Sequence, residues 1–159
     1  MNTSDVLKYG QLTFLAGLDG LPESEWEKPG VCGYWSVKQI IAHLASYEAT
    51  LADILKSLTG SGPTPTLDRF LGNNVGFNDD EVAARAGLSP SATLDELTAE
   101  HERAMGLIDV IPIETLRSTG TIPWYGEEYS IEDLIVYQYY GHKREHVAQI
   151  WVYRDHLAG

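Results

Sequence analysis

Gly141-His142-Lys143-Arg144-Glu145-His146 lies inside an apolar-periodic stretch that runs from Ser130 to Leu157. Two histidines four residues apart lie on one face of a helix, with their Cβ atoms about 6 Å apart. Neutral imidazole is the commonest metal-ligand side chain, so such a helix can hold one ion with two side chains. On spacing alone, an equally good interpretation is a wet helix face on which each histidine binds water or a carboxylate.

Three other amphipathic stretches precede this one, and in each the apolar residues recur at helical spacing. The four predicted helices run from about Ser4 to Asp19, Ser36 to Leu58, Thr93 to Ile108 and Ser130 to Leu157. Their predicted capping residues are Ser4 or Thr3, Ser36, Thr93 and Ser130. Four apolar stripes in 159 residues predict an all-α four-helix bundle that forms one domain over residues 1–159.

A long connection from Gly60 to Ala92 separates the second and third helices. Asn78 to Glu81 has the pattern of an N-cap with a capping box, which predicts a short helix that ends at Gly87. A connection of this length in a compact domain usually crosses the bundle or covers a site. Evidence for strands is thin and confined to short pieces at 116–122 or 128–130.

Composition excludes several classes of protein. The net charge of −12, with 11 basic residues, opposes binding to nucleic acid or to anionic lipid. No stretch approaches the about 20 apolar residues of a membrane span. The first residues lack the basic and apolar segments of a signal peptide, and Cys32 is the single cysteine, so we expect a cytoplasmic protein. We interpret Cys32 as a loop or partly buried thiol rather than a nucleophile.

His43 is the third candidate ligand, in the otherwise apolar run Ile40 to Leu44. A lone histidine in such a run is more often a satisfied core residue. If the pair on the last helix faces it, three neutral imidazoles from two helices would hold Zn²⁺ with one position open, or Ni²⁺ with more water.

Two motifs together resemble those of the DinB-like (YfiT-like) superfamily. The stretch from Trp35 to Leu44 resembles its second-helix motif, and the stretch from Gly141 to Ile150 resembles its last-helix motif, His-x-Arg-Glu-His-x-x-Gln-Ile. The order of helices and the long crossover between helices 2 and 3 are also similar to the family.

The resemblance implies an up-down-down-up bundle in which one divalent metal ion is held by His43, His142 and His146. Lys143 is a difference, because an aromatic residue is common there in relatives. Family members with known activity include S-transferases and isomerases that use a low-molecular-weight thiol, and hydrolases that act on reactive electrophiles. The family is not a DNA-binding group despite its name.

Other side chains are weaker candidates. Tyr47 lies one turn after His43, and Glu145 could orient a ligating imidazole or simply be a solvated charge. His101 is interpreted as a core or boundary histidine rather than a fourth ligand, and His156 as exposed. Four aromatic residues either pack or wall a substrate pocket: Trp35, Trp124, Tyr125 and Tyr140.

The residues and the resemblance lead to one expectation about function. We expect a metal-dependent enzyme with one Zn²⁺ or Ni²⁺ per chain, although Fe²⁺ and Mn²⁺ stay open. It would transfer a low-molecular-weight thiol or hydroxide to a small electrophile, and a homodimer is expected from the aromatic-rich last helix. The alternative is a non-catalytic stress or resistance protein that binds a small molecule, with a structural metal or none.

Overall fold

The computed structural model describes residues 2–60 and 62–159 and contains no strand among them. Three of the long helices are unbroken: α1 (Thr3–Gly17), α2 (Val37–Thr59) and α5 (Pro90–Ile108). The fourth is a continuous run of α7 (Ile131–Ile135), a π-helical segment (Val136–Gly141) and α8 (His142–Leu157). The predicted all-α bundle of four long helical elements is confirmed.

Two pairs of helices form most of the bundle. α2 packs mainly against α5, whereas α1 packs against α8 and the π-helical segment. Two clusters of buried apolar side chains fill the interior. One is centred on Phe14, Ile40 and Leu97, and the other on Leu7, Leu55 and Ile131. Apolar burial on this scale is the main force that holds such a bundle together.

The predicted caps at Ser36 and Ser130 are confirmed. The Ser36 hydroxyl accepts a hydrogen bond from the Gln39 amide, and the Gln39 side chain accepts one from the Ser36 amide. Ser130 and Asp133 make the same reciprocal pair at the start of α7. Each arrangement satisfies two amide groups that have no partner inside the helix.

The predicted starts of the first and third long helices, at Ser4 or Thr3 and at Thr93, were wrong by a few residues. Asn2 caps α1, because its Oδ1 accepts from the Asp5 amide at 3.2 Å, while the Thr3 hydroxyl is donated to Glu132. Ser89 caps α5 and Pro90 occupies its first turn, so Thr93 lies inside the helix. A proline at the first helical position fits there because no amide donor is needed.

The connection after α2 is largely helical. It contains α3 (Pro65–Gly72) and α4 (Phe77–Ala84), and both pack on α2. Asn78, the predicted cap of the short helix, lies inside α4, which begins after Gly76. The strand pieces considered at 116–122 and 128–130 do not form; a short helix, α6 (Ile113–Arg117), and turns occupy this part of the chain.

The π-helical segment interrupts the helix that the sequence predicted as regular from Ser130 to Leu157. A Cβ atom at Gly141 would lie 3.3 Å from the Val136 carbonyl oxygen, so glycine permits this widened turn. Such turns are rare and occur frequently at functional sites. In the described part of the chain, no helix has both the length and the apolar character of a membrane span.

Two glycines provide a matched test of the packing between α1 and α8. A Cβ atom at Gly17 would lie 2.9 Å from Val147 Cγ2, whereas one at Gly106 in α5 would have no neighbour within 4 Å. We expect Gly17→Ala to lower the free energy of unfolding by about 1–3 kcal/mol through overpacking. Gly106→Ala should raise it by about 0.5–1 kcal/mol through lower backbone entropy of the unfolded chain. Urea denaturation measures both, and equal effects would contradict the close contact at Gly17.

Candidate metal centre

Three imidazoles from two helices converge on one point in the bundle. His142 Nε2 lies 3.0 Å from His43 Nε2 and 2.9 Å from His146 Nε2. α2 supplies His43, and the first turns of α8 supply the other two. These are the three residues that the sequence singled out, and the structure brings them together. Their ligand atoms lie within 4.8 Å of one another, so the group could hold a metal ion.

All three imidazoles are in an environment that keeps them neutral. Burial and the two neighbouring histidines lower the pKa of His43 from 6.5 to about 2. Burial and His146 lower the pKa of His142 to about 4, against an opposing interaction with the Gln138 backbone. Burial also lowers the pKa of His146. Metals bind the neutral form of imidazole, so the site is prepared for a cation at neutral pH.

The hydrogen bonds of His146 select its tautomer. Its Nδ1 lies 2.8 Å from Gln149 Oε1, and because a carbonyl oxygen only accepts, Nδ1 carries the proton. The lone pair of neutral His146 is therefore on Nε2, which faces His142. Gln149 is a positioning residue for the site that we did not predict from the sequence. It lies three residues after His146, and the last-helix motif contains it.

The donor set fits a divalent metal ion. His142 Nε2 contacts two other imidazole nitrogens, but a ring nitrogen either donates one hydrogen bond or accepts through one lone pair. Direct hydrogen bonds therefore cannot satisfy both contacts fully, whereas one cation would satisfy three lone pairs at once. Among the described residues His43 Nδ1 has no hydrogen-bond partner. In the tautomer that leaves the Nε2 lone pair of His43 free to bind a metal, Nδ1 carries the proton.

Two aromatic rings contact the His43 imidazole. The Trp35 ring centroid lies 4.9 Å from that of His43, and the Tyr47 centroid lies 4.7 Å from it. Tyr47 also contacts His142 at 4.9 Å between centroids. Burial raises the pKa of the Tyr47 hydroxyl, although an interaction with Asn78 of α4 opposes this. The α3–α4 connection therefore covers the side of the site at which Tyr47 lies.

The remaining predicted residues lie outside the cluster of imidazoles. Glu145 is exposed and acts on His146 through its charge, while Gln149 makes the hydrogen bond to that ring. His156 is exposed and Cys32 is half-buried. His101 is buried and its Nδ1 lies 3.2 Å from Glu48 Oε2, which fits the interpretation as a core histidine.

A buried ion pair lies directly beside the histidines. Lys143 Nζ is 2.5 Å from Glu48 Oε1, and both side chains are almost fully buried. Burial disfavours the Glu48 carboxylate, but Lys143 and His101 outweigh this and lower the pKa of Glu48. The sequence showed Lys143 as a departure from its relatives without indicating its partner. The available signal was Glu48, a carboxylate within a run of apolar and small residues of α2.

The fold and site together define an all-helical bundle with a three-histidine centre between two of its long helices. A family model described as the DinB superfamily matches residues 8–150. The chain belongs to the DinB superfamily, as the two motifs predicted. No match was found among curated proteins or among solved structures.

The depressed histidine pKa values predict a pH-dependent stability of the metal-free protein. An unfolded histidine titrates near 6.5, about 2.5 units above His142 in the folded protein. The unfolded chain therefore takes up protons first as the pH falls. The full stability is present above pH ~6.5, and on the order of 3 kcal/mol is lost by pH ~4 through His142.

Urea denaturation at pH 7.5, 6 and 4.5 measures this loss, and His142→Gln is the matched variant. Carboxylates titrate in both proteins, so the difference between their curves isolates the histidine. Parallel curves for the two proteins would show that His142 is not held neutral by the fold.

The buried ion pair predicts a strong coupling between Glu48 and Lys143. Lys143→Met leaves the Glu48 carboxylate buried without its ammonium partner and should cost about 3–5 kcal/mol. The double variant Glu48→Met/Lys143→Met should lose less than the sum of the two single variants, because it leaves no unpaired charge. Lys28→Met breaks an exposed pair with Glu25 and should have little effect. Additive effects of the two buried substitutions, measured by urea denaturation, would argue against a coupled pair.

Proposed function

We propose that the protein is a metal-dependent enzyme in which His43, His142 and His146 hold one Zn²⁺ or Ni²⁺ ion. The proposed reaction transfers a low-molecular-weight thiol, or hydroxide, to a small electrophile. The observation that carries the proposal is the convergence of three Nε2 atoms on one point, with contacts of 2.9 and 3.0 Å. An all-nitrogen donor set of imidazoles suits both ions, and three protein ligands leave room for a further ligand.

A bound ion of this kind stabilises a thiolate or hydroxide at neutral pH. The thiol or water would release its proton to solvent, and the nucleophile so formed would make a bond to an electrophilic carbon while the leaving group departs with the electrons of its own bond. The residues of the chain supply the setting. Gln149 orients His146, and the rings of Trp35 and Tyr47 pack against His43.

A polar cleft beside Trp35 supports a small-molecule partner. Its volume is about 370 Å³, and its walls include Lys38, Gln39, Asp79 and Arg85. Ala42, the residue before His43, also lines it. A cleft of this size lies in the range of small-ligand sites. Its mixture of charged and amide groups suits a polar thiol better than an apolar compound.

The wider setting of the proposed enzyme follows from its charge and surface. We propose a cytoplasmic enzyme without a nucleic-acid or membrane partner, since its net charge is −12. A homodimer is supported by exposed aromatic side chains on the last helical run, with Tyr137 59% and Trp151 43% exposed.

Metal uptake tests the proposed centre. The protein, purified without a histidine tag, should bind about one Zn²⁺, Ni²⁺ or Co²⁺ per chain. Alanine at His43, His142 or His146 should remove tight binding, while His156→Ala should leave it unchanged. Retained binding in His43→Ala would contradict a site built from two helices.

The open coordination position separates an enzyme from a protein with a structural metal. Azide, imidazole or a thiol should change the visible spectrum of the Co²⁺-loaded protein, because a catalytic site exchanges its fourth ligand. A spectrum that none of these compounds changes would instead support the non-catalytic binding protein.

A further inference from the structure

A second cavity lies beside Tyr47, whose ring contacts His43. It has a volume of about 90 Å³, and its walls include Tyr47, Thr50, Phe70, Trp124 and Tyr139. Aromatic and aliphatic surface dominates these walls. Such a cavity favours apolar groups, because water inside it would find few polar partners.

This cavity adjoins the histidines through two of its walls. The Tyr47 ring contacts both His43 and His142, at 4.7 and 4.9 Å between centroids. Gln138 also lines the cavity, and its backbone interacts with the His142 imidazole. The Tyr47 ring is therefore a wall that the cavity shares with the candidate metal centre.

The cavity adjoins a groove on the protein surface. An outer groove lies against α3 and shares Phe70, Trp124 and Tyr125 with the inner cavity. Phe70 and Trp124 meet edge to face, with centroids 5.8 Å apart. Trp124 is 37% exposed, so it forms a wall at the rim, whereas Thr50 is buried deeper inside.

We propose that this aromatic cavity receives a short apolar group of the compound that binds at the three histidines. The inference rests on the proposed function and adds a substrate class to it. Cavities of about 150 Å³ hold benzene, so 90 Å³ accommodates a linear group of three or four carbon atoms. The substrate class is then a small molecule with a short alkyl or alkenyl arm, and bulky rings are excluded.

A series of thiols bound to the Co²⁺-loaded protein tests the inference. The dissociation constants of methanethiol, 1-propanethiol, 1-butanethiol and cyclohexanethiol are measured from the thiolate-to-cobalt absorption band. Each methylene that enters an apolar cavity contributes about fourfold in affinity. We expect 1-butanethiol to bind about ten- to sixtyfold more tightly than methanethiol, and cyclohexanethiol to bind more weakly than 1-butanethiol.

Two variants locate the effect in the cavity. Trp124→Ala removes the rim wall and should strengthen cyclohexanethiol binding at least fivefold. The gain in affinity from methanethiol to 1-butanethiol should fall in the same variant. Thr50→Leu fills the cavity and should abolish the gain in affinity from methanethiol to 1-butanethiol. Trp151→Ala is the matched control, because Trp151 is similarly exposed (43%) and lies on the last helix away from the cavity.

Equal affinities for methanethiol and 1-butanethiol would overturn the inference while leaving the proposed centre intact. A chain-length gain that persists in both Trp124→Ala and Thr50→Leu would also overturn it.

A protein that takes up no Co²⁺ would instead refute the proposed function. Binding of 1-butanol to the cavity of the metal-free protein is then measured by saturation-transfer NMR. Transfer to the butyl protons in the wild type, lost in Thr50→Leu, supports the inference, and absence of transfer in the wild type overturns it.

Discussion

The junction between α2 and α8 is the contact on which the rest of the site depends. These helices pack mainly against other partners, α2 against α5 and α8 against α1. Two polar contacts join them: His43 with His142, and, one turn along, Glu48 with Lys143. Apolar packing sets the distance between the two helix pairs, but it tolerates rotation and sliding. A buried ion pair does not, because a small displacement leaves both charges without a partner in a medium of low dielectric constant.

This arrangement explains why a lysine can be tolerated beside a cluster of histidines that must stay neutral. Its charge is balanced within the core by Glu48, which also contacts His101 of α5. α2, α5 and α8 are thereby joined at one carboxylate. Tyr139 lies close enough for the Glu48 charge to contribute to the raised pKa of its hydroxyl, after burial itself. The helix that carries His43 is therefore held at a defined angle to the helix that carries the other two.

Much of the site could be predicted from the sequence because its signals are local. His142 and His146 share a helix face because they are four residues apart, and the capping boxes at Ser36 and Ser130 mark the starts of their helices. The π-helical segment could not be read in this way, since it depends on how Gly141 and its neighbours pack in the bundle. The partnership of Glu48 with Lys143 links residues 95 positions apart and has no local signature. The start of α5 was misplaced because both Ser89 and Thr93 could cap a helix, and Pro90, which fits the first helical position, favours Ser89.

The polar cleft and the aromatic cavity differ in chemistry, and this difference bears on how an acidic protein could bind its reactants. A net charge of −12 creates a negative field that concentrates metal cations near the surface and repels anions. A thiol that carries carboxylates would meet that repulsion. Lys38 and Arg85 lie in the walls of the polar cleft, although they already pair with Glu27, Glu81 and Glu96. Such pairs leave a nearly neutral cleft rather than a cationic one. A neutral or zwitterionic thiol therefore suits this cleft better than a polyanionic one. The aromatic cavity has no charged side chain in its walls and does not discriminate between them by charge.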